Sequence, residues 1–379
     1  MRSSPPRRNS SAALVGANND LIREILLRMP AKNAVRLKLV SKSWLSLISD
    51  ISLIPGRNSN ATSGLIIMEG GMMKPRYSYV SLDESKRTTD DEPTRYIRFF
   101  DPRAPAPLKI SDSCNGLFLC YAKATAYQDI QSRLYVVNPS THQFTTLPLP
   151  PTHQTNWKDF RLVSDPCKSP VYLVYGIELS DSDSDSDSVC NILEYSSLTG
   201  VWNLFPVDDF DLVHRRFKGA FCNGALHWVR KDGYSYRFDV SQKSIKKLPK
   251  PPLPEYWKSD TDLQYFGEYE GNLYFIAHDT GSSTLIVYEL HKDCSGWFMK
   301  YSLAIRDINI QFQMSPNFQQ LGYLCCSVLS LVKVKNEGPK LVMWMRTGKI
   351  ISYSFKDNTF SKHCDHLQNK YGKCKAFKF

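Results

Sequence analysis

No stretch of this 379-residue sequence approaches the roughly 20 consecutive apolar residues of a membrane-spanning helix. Its ten cysteines include the adjacent pair Cys325-Cys326, but no C-x-x-C and no even spacing. Without a secretion signal, that pattern reads as buried thiols rather than as a disulfide framework. The strings that mark serine hydrolases, zinc proteases, P-loop enzymes and dinucleotide binders are all missing. Acidic residues are absent from the first nineteen positions, and no helical period continues past Ser49. These absences point to a non-catalytic protein without cofactor, metal or membrane partner, acting in the cytoplasm and/or nucleus. The basic, Ser/Pro-rich start fits a disordered tail over 1–17, although a transit peptide shares that composition.

What is present begins with helix. Leu21, Ile22, Ile25, Leu26 and Met29 form one apolar stripe, with Asn19 or Asp20 placed to cap its start and Pro30 to end it. A second short stretch presents Ala34, Val35 and Leu37. Ser41 then caps a third, which carries Trp44, Leu45, Leu47 and Ile48. So small a unit cannot bury all these side chains in its own core, so the stripe reads as a docking surface. Residues 1–60 hold ten Lys/Arg against three Asp/Glu, so +7 of the net +11 lies there. Lys32 and Lys42 stand among the apolar anchors, and no series of stacking aromatics accompanies them. A basic rim around an apolar stripe suits an acidic protein partner better than nucleic acid.

The remaining three hundred residues repeat. Ser113-Cys114-Asn115-Gly116-Leu117-Phe118-Leu119 recurs as Ala220-Phe221-Cys222-Asn223-Gly224-Ala225-Leu226, and more loosely as Tyr269-Glu270-Gly271-Asn272-Leu273. Asn-Gly between alternating apolar residues is a strong hairpin signal, because both turn positions need positive φ. A second hairpin ending Leu147-Pro148 matches one ending Leu248-Pro249. The units lie near 64–100, 108–151, 160–207, 217–254, 263–303 and 321–365. About six four-stranded units of roughly 50 residues predict a mainly β chain with a kelch-like β-propeller over 60–370. A β-sandwich with the same number of strands is the alternative.

Two sets of residues also carry a resemblance. Asp20-Leu21-Ile22-x-Glu24-Ile25-Leu26-x-Arg28-Met29-Pro30-x-Lys32, with Leu39-Val40-Ser41-Lys42-Ser43-Trp44, resembles a plant F-box over 18–55. The family usually opens on Leu-Pro, where this chain has Ala17-Asn18. Ser-Cys-Asn-Gly-Leu-x-Leu-Cys and Asn-Pro-Ser-Thr-x-Gln resemble the F-box-associated domain of the same proteins. The resemblance implies a three-helix F-box that docks on a Skp adaptor and, through it, on a cullin. The chain would then be the substrate-recognition subunit of an SCF (Skp–cullin–F-box) ubiquitin ligase, with no catalysis of its own. Its adaptor-binding residues would be Leu21, Ile22, Ile25, Leu26, Met29, Pro30, Lys32, Val40, Ser41, Lys42 and Trp44. A scaffold outside any ligase, or a nucleic-acid-binding regulator using the basic N-terminal unit, are the other readings.

If each propeller blade is labelled A to D from the centre outward, A–B and C–D turns share one face, and B–C and D–A loops share the other. The long polar segments 121–133, 148–158, 178–190, 206–216, 250–262 and 304–318 fall mostly in the second class. Binding tends to sit on long loops held by a rigid frame, so that face is expected to hold the protein substrate. Tyr127, Trp157, Arg215, Arg216, Tyr256 and Trp257 are its expected anchors, being of the types that dominate hot spots. Trp202, Trp228, Trp297 and Trp344 read as core. The Ser-Asp run 180–188 lacks the Gly and closing Glu of a calcium loop and reads as a solvated loop. His363-Cys364-Asp365-His366 reads as a strand end.

Overall fold

A computed structural model describes residues 18–28, 37, 44, 47, 62, 64–69, 75–82, 108–122, 133–139, 143–151, 157–164, 171–179, 190–207, 217–230, 232–255, 257, 263–313, 325–334, 337–365 and 374–378. After helix α1 (Asn19–Arg28), the described chain is almost entirely strand. Strands β3 (Lys109–Cys114), β4 (Leu117–Ala122), β5 (Arg133–Asn138) and β6 (Gln143–Leu147) form one antiparallel sheet in sequence order. The same order recurs in three more sheets: β11 (Phe217–Cys222) to β14 (Ser244–Leu248), β15 (Leu263–Tyr269) to β18 (Trp297–Ala304), and β19 (Cys326–Lys333) to β22 (Thr359–Cys364). Strands β7 (Trp157–Ser164) to β10 (Val201–Val207) make a sheet of the same kind.

The A–B turns explain why the hairpins form where they do. Asn115 and Gly116 have φ of 48° and 80°, and Asn223 and Gly224 have 47° and 73°. That is the left-handed pair a two-residue hairpin requires, and Asn and Gly reach it at least cost. Glu270-Gly271 makes the third such turn, with Glu270 at 47° and ion-paired to Lys333 of the next blade.

Six buried clusters settle propeller against sandwich. Each joins the facing sides of two neighbouring sheets. Leu119 and Val136 of the second blade meet Phe160 and Val174 of the third. Ile177 and Ile192 of the third meet Trp228 and Phe238 of the fourth. The series runs on through the fifth and sixth blades, and Leu65 and Ile67 of the first meet Leu329 and Trp344 of the sixth. Polar bridges follow the same pitch. The Asn115 side-chain amide donates to Ser164 O at 2.6 Å, and that of Asn223 to Gly271 O at 2.7 Å, one blade onward each time. Trp202 Nε1–H donates to Pro148 O at 2.8 Å and Trp297 Nε1–H to Pro249 O at 3.0 Å, one blade back. This gives the repeated Leu-Pro a purpose: it turns a free carbonyl towards the next blade's outer strand. Burial dominates, since one buried Leu, Ile or Phe contributes roughly 1.5–3 kcal/mol and one hydrogen bond about 1 kcal/mol.

Four expectations need correction. The first unit is not complete in the 64–100 region. Strands β1 (Gly64–Glu69) and β2 (Arg76–Ser81) are its second and third strands, and its innermost strand is β23 (Lys375–Lys378) from the other end of the chain. Leu65 pairs with Lys378 and Met68 with Lys375, so the propeller runs past residue 370 and its two ends close in one sheet. A helix exists after residue 49: α2 (Ile305–Gln311) lies in the D–A connection between β18 and β19, with Ile305 and Ile308 buried in the cluster between blades five and six. Helix α1 is capped by Asn18, not Asn19 or Asp20; its Oδ1 accepts from the backbone N–H of Asp20 and Leu21, both at 3.1 Å. Trp202, Trp228 and Trp344 are buried as expected, but Trp297 is only half-buried.

Candidate functional site

Two surfaces are candidates, and the first is α1. Leu21 and Ile25 sit one turn apart and are 44% and 40% exposed, whereas Ile22 between them is fully buried. A four-residue spacing puts the two exposed side chains on one helical face. Trp44 lies in helix and is half-buried. The side chain of Leu26, and all of Met29, Pro30, Lys32, Val40, Ser41 and Lys42, lie outside the described residues.

The second surface is the propeller face that carries the B–C and D–A connections. Register defines it: in the fourth blade Phe217 pairs with Arg230, Val229 with Ser235, and Ser235 with Leu248. The start of A, end of B, start of C and end of D therefore share one end of the sheet. In the third blade Trp157 pairs with Glu178, and Leu179 and Val207 with Cys190, at the same end. The D–A connections after β6, β10, β14 and β18 and the B–C connections 123–132 and 180–189 all emerge here. The B–C connections of blades four to six are tight turns.

Of the six anchors expected there, Trp157 is not in a loop: it opens strand β7. Trp257 is half-buried and packs against the cluster between blades four and five, its ring 5.8 Å from that of Phe275. Tyr127, Arg215, Arg216 and Tyr256 lie outside the described residues, as does the Ser-Asp run 180–188. His363 and Cys364 end strand β22, with His363 Nε2 2.8 Å from Ser352 Oγ and Cys364 in the core.

Charged groups on the innermost strands of blades two and three pair with one another. Arg161 pairs with Asp159 and lies 3.6 Å from Asp112 on the neighbouring blade. Asp112 Oδ2 accepts from Leu162 N–H at 2.9 Å, and Trp228 Nε1–H donates to Asp159 Oδ2 at 3.0 Å. Three blades are thus locked by one polar cluster. Burial raises the Asp112 carboxyl above its usual range although Arg161 opposes the shift. Gly219 lets the strands approach, because a Cβ there would fall on Asp159 Oδ2. In blades three and five a Tyr on strand B donates to a Glu on strand C: Tyr175 to Glu194 and Tyr274 to Glu289. Lys243 and Lys300 complete those pairs. Such mutually satisfied groups hold a fold and present no activated nucleophile. Among the described residues no three His, Cys, Asp or Glu side chains converge as metal ligands, and no helix is long and apolar enough to cross a membrane.

Sequence reasoning missed a third cluster, at the connection-face end of blade four. Tyr234, in the B–C turn, has Lys250 Nζ 3.4 Å, Lys247 Nζ 4.4 Å and the Arg230 guanidinium 5.4 Å from its ring centroid. The signal was available, because residues 217–254 hold eight Lys/Arg against two Asp/Glu.

Comparisons with known proteins agree with this architecture. A family model described as "F-box domain" matches residues 18–55, and one described as "F-box associated beta propeller domain" matches residues 95–270. The F-box protein At5g07610 of Arabidopsis thaliana is 31% identical over 394 residues, which cover 96% of this chain and 90% of that protein. The putative F-box/kelch-repeat protein At1g12870 of the same plant is 25% identical over 254 residues, 62% of this chain and 59% of that protein. A solved structure titled "YCF48 bound to D1 peptide" covers 82% of this chain and 86% of its own at 9% identity and a TM-score of 0.37, too distant to argue from. By its two domains, and by a relative aligned over nearly its whole length, this chain belongs to the plant F-box proteins that carry an F-box-associated β-propeller.

Proposed function

We propose that this protein is the substrate-recognition subunit of an SCF ubiquitin ligase, acting in the cytoplasm and/or nucleus. The F-box docks on a Skp-type adaptor and through it on a cullin, and the connection face of the propeller holds a protein substrate. The chain contributes proximity: it raises the effective concentration of a substrate lysine near the charged ubiquitin thioester, and other subunits supply the chemistry. The observation that carries the reading is the exposed Leu21–Ile25 face on the F-box helix. Two large aliphatic side chains left in water on a short capped helix are what a docking surface needs.

Their exposure sets the expected effect. Full burial of such a side chain is worth about 1.5–3 kcal/mol, and these two have about two-fifths of their surface left to bury. Leu21→Ala with Ile25→Ala should therefore weaken adaptor binding by about 1.2–2.4 kcal/mol, roughly 8- to 60-fold, and leave propeller unfolding unchanged. Calorimetric titration of purified adaptor into the full chain measures it. Binding unaltered in the double variant would remove the docking assignment. Reconstitution with adaptor, cullin and a ubiquitin-conjugating enzyme then separates ligase from scaffold, since a scaffold binds the adaptor without supporting ubiquitin transfer to a bound protein.

A further inference from the structure

Resting on the proposal that the propeller binds the substrate, we infer that the connection-face end of blade four receives a short acidic segment of that partner. Charge is distributed by blade. Residues 217–254 hold eight Lys/Arg against two Asp/Glu, whereas 157–207 hold three against eight and 263–304 hold two against five. A basic blade thus stands between two acidic ones.

Neither acid of blade four neutralises its exposed lysines. Asp232 is bound to Arg230 at 2.7 Å. Asp239 is bound to Arg237 at 2.9 Å and accepts from Ser241 and Gln242 in its own turn. Lys246, Lys247 and Lys250 are exposed, and none has an ion-pair partner among the described residues. Lys247 and Lys250 are nevertheless held in place, because both ammonium groups lie against the Tyr234 ring. Cation–π contact restrains the two long side chains before any ligand arrives, which lowers the ordering cost of binding. Lys250 also stands between Pro249 and Pro251 on the exit from strand β14, where both flanking φ angles are fixed. Two ammonium groups and a guanidinium around one ring repel each other, and an anion placed among them relieves that repulsion. The turn below them is narrow: Gly233 has φ of 83°, and a Cβ there would meet Leu253.

The cluster's reach defines the ligand's size. Its cations gather around one ring on a single blade, whereas a nucleic-acid duplex is held by a basic surface that follows its phosphates over several helical steps. Its bases would also find the Tyr234 ring already covered by cations. A short acidic peptide fits the basic blade alone. Carboxylates and phosphates offer the same charged acceptors, so aspartate, glutamate and phosphoserine are the recognised groups.

Fluorescence anisotropy on the full chain tests this with four labelled probes: a ten-residue peptide of alternating Glu and Gly, the same peptide with phosphoserine at each Glu, its Gln counterpart, and a 20-base-pair DNA duplex. One or both anionic peptides should bind, and the Gln peptide should not. The stronger of the two names the preferred anion. Lys246→Ala with Lys247→Ala and Lys250→Ala should weaken binding at least tenfold, while Lys349→Ala with Lys356→Ala on blade six stays within twofold. Tyr234→Leu should cost several-fold and Tyr234→Phe almost nothing, as expected for a ring that positions lysines. All these side chains are at least partly exposed, and thermal melts confirm that the variants fold. Unchanged binding in the triple lysine variant, an equal loss in the blade-six control, failure of both anionic peptides to bind, or tighter binding of the duplex would each overturn the inference. None of these measurements involves the adaptor, so they can fail while the ligase assignment stands, and the adaptor titration can fail while they succeed.

Discussion

Replacing Phe377 with alanine should open the ring at its closure. Phe377 lies on the four-residue strand β23, pairs with Ile66, and is 7% exposed in the cluster it shares with Tyr77, Ile110, Phe118 and Tyr135. Truncating a buried Phe to Ala costs about 3–5 kcal/mol, of which the residual cavity is a large part. For the span from residue 64 to 378, an unfolding entropy of roughly 2 cal/mol/K per residue gives about 0.65 kcal/mol per kelvin. The melting midpoint should therefore fall by about 5–8 °C. Phe144 supplies the comparison: it is 49% exposed and contacts Tyr135 edge-on at 6.2 Å, so Phe144→Ala should cost no more than about 1.5 kcal/mol. Urea titrations followed by tryptophan fluorescence and circular dichroism give both free energies. If the two variants proved equally stable, β23 would not be holding blade one to blade two, and the closure would have to lie elsewhere.

Two further perturbations follow from particular contacts. Trp202→Phe keeps an aromatic ring against Phe160 and Tyr195 but removes the donor to Pro148 O. It should destabilise the propeller by about 1–2 kcal/mol in the same urea titration, and an unchanged midpoint would show that the inter-blade bond contributes nothing. His227 is buried on strand β12 (Ala225–Arg230), where desolvation and then Arg237 lower its pKa from 6.5 to about 4. The unfolded chain takes up that proton first, so stability carried by the neutral ring is present above about pH 6.5 and is lost as pH falls toward 4, at most about 3 kcal/mol. His227→Gln should flatten the stability profile across that window relative to the parent; parallel profiles would refute it.

Much of the fold could be read locally. The Asn115-Gly116 and Asn223-Gly224 turns, the alternation on their flanking strands and the Leu-Pro ends depend only on residues a few positions apart. Five of the six blades accordingly lie where the repeat places them. Helix α2 escaped because seven residues, three of them β-branched Ile, carry too little periodicity to stand out. Its helical form comes from Ile305 and Ile308 entering a cluster built by two blades. The candidate site was half legible. The Leu21–Ile25 face follows from helical spacing alone, whereas Trp157 and Trp257 looked like loop anchors because sequence does not say which end of a connection becomes strand or packs on the core. The basic end of blade four escaped for another reason. Averaged from residue 61 onward, its positive charge cancels against the acidic blades beside it.

Residues close in sequence therefore set the strand repeat, its turns and the shared helical face of Leu21 and Ile25, because backbone torsions and alternate burial are governed by near neighbours. Packing of the whole ring is what makes β23 the first blade's innermost strand, joining Ile66 to Phe377. It alone gathered Tyr234, Lys247 and Lys250 into one surface. Both outcomes rest on contacts between residues on different strands, and they exist only once the blades have packed into a ring.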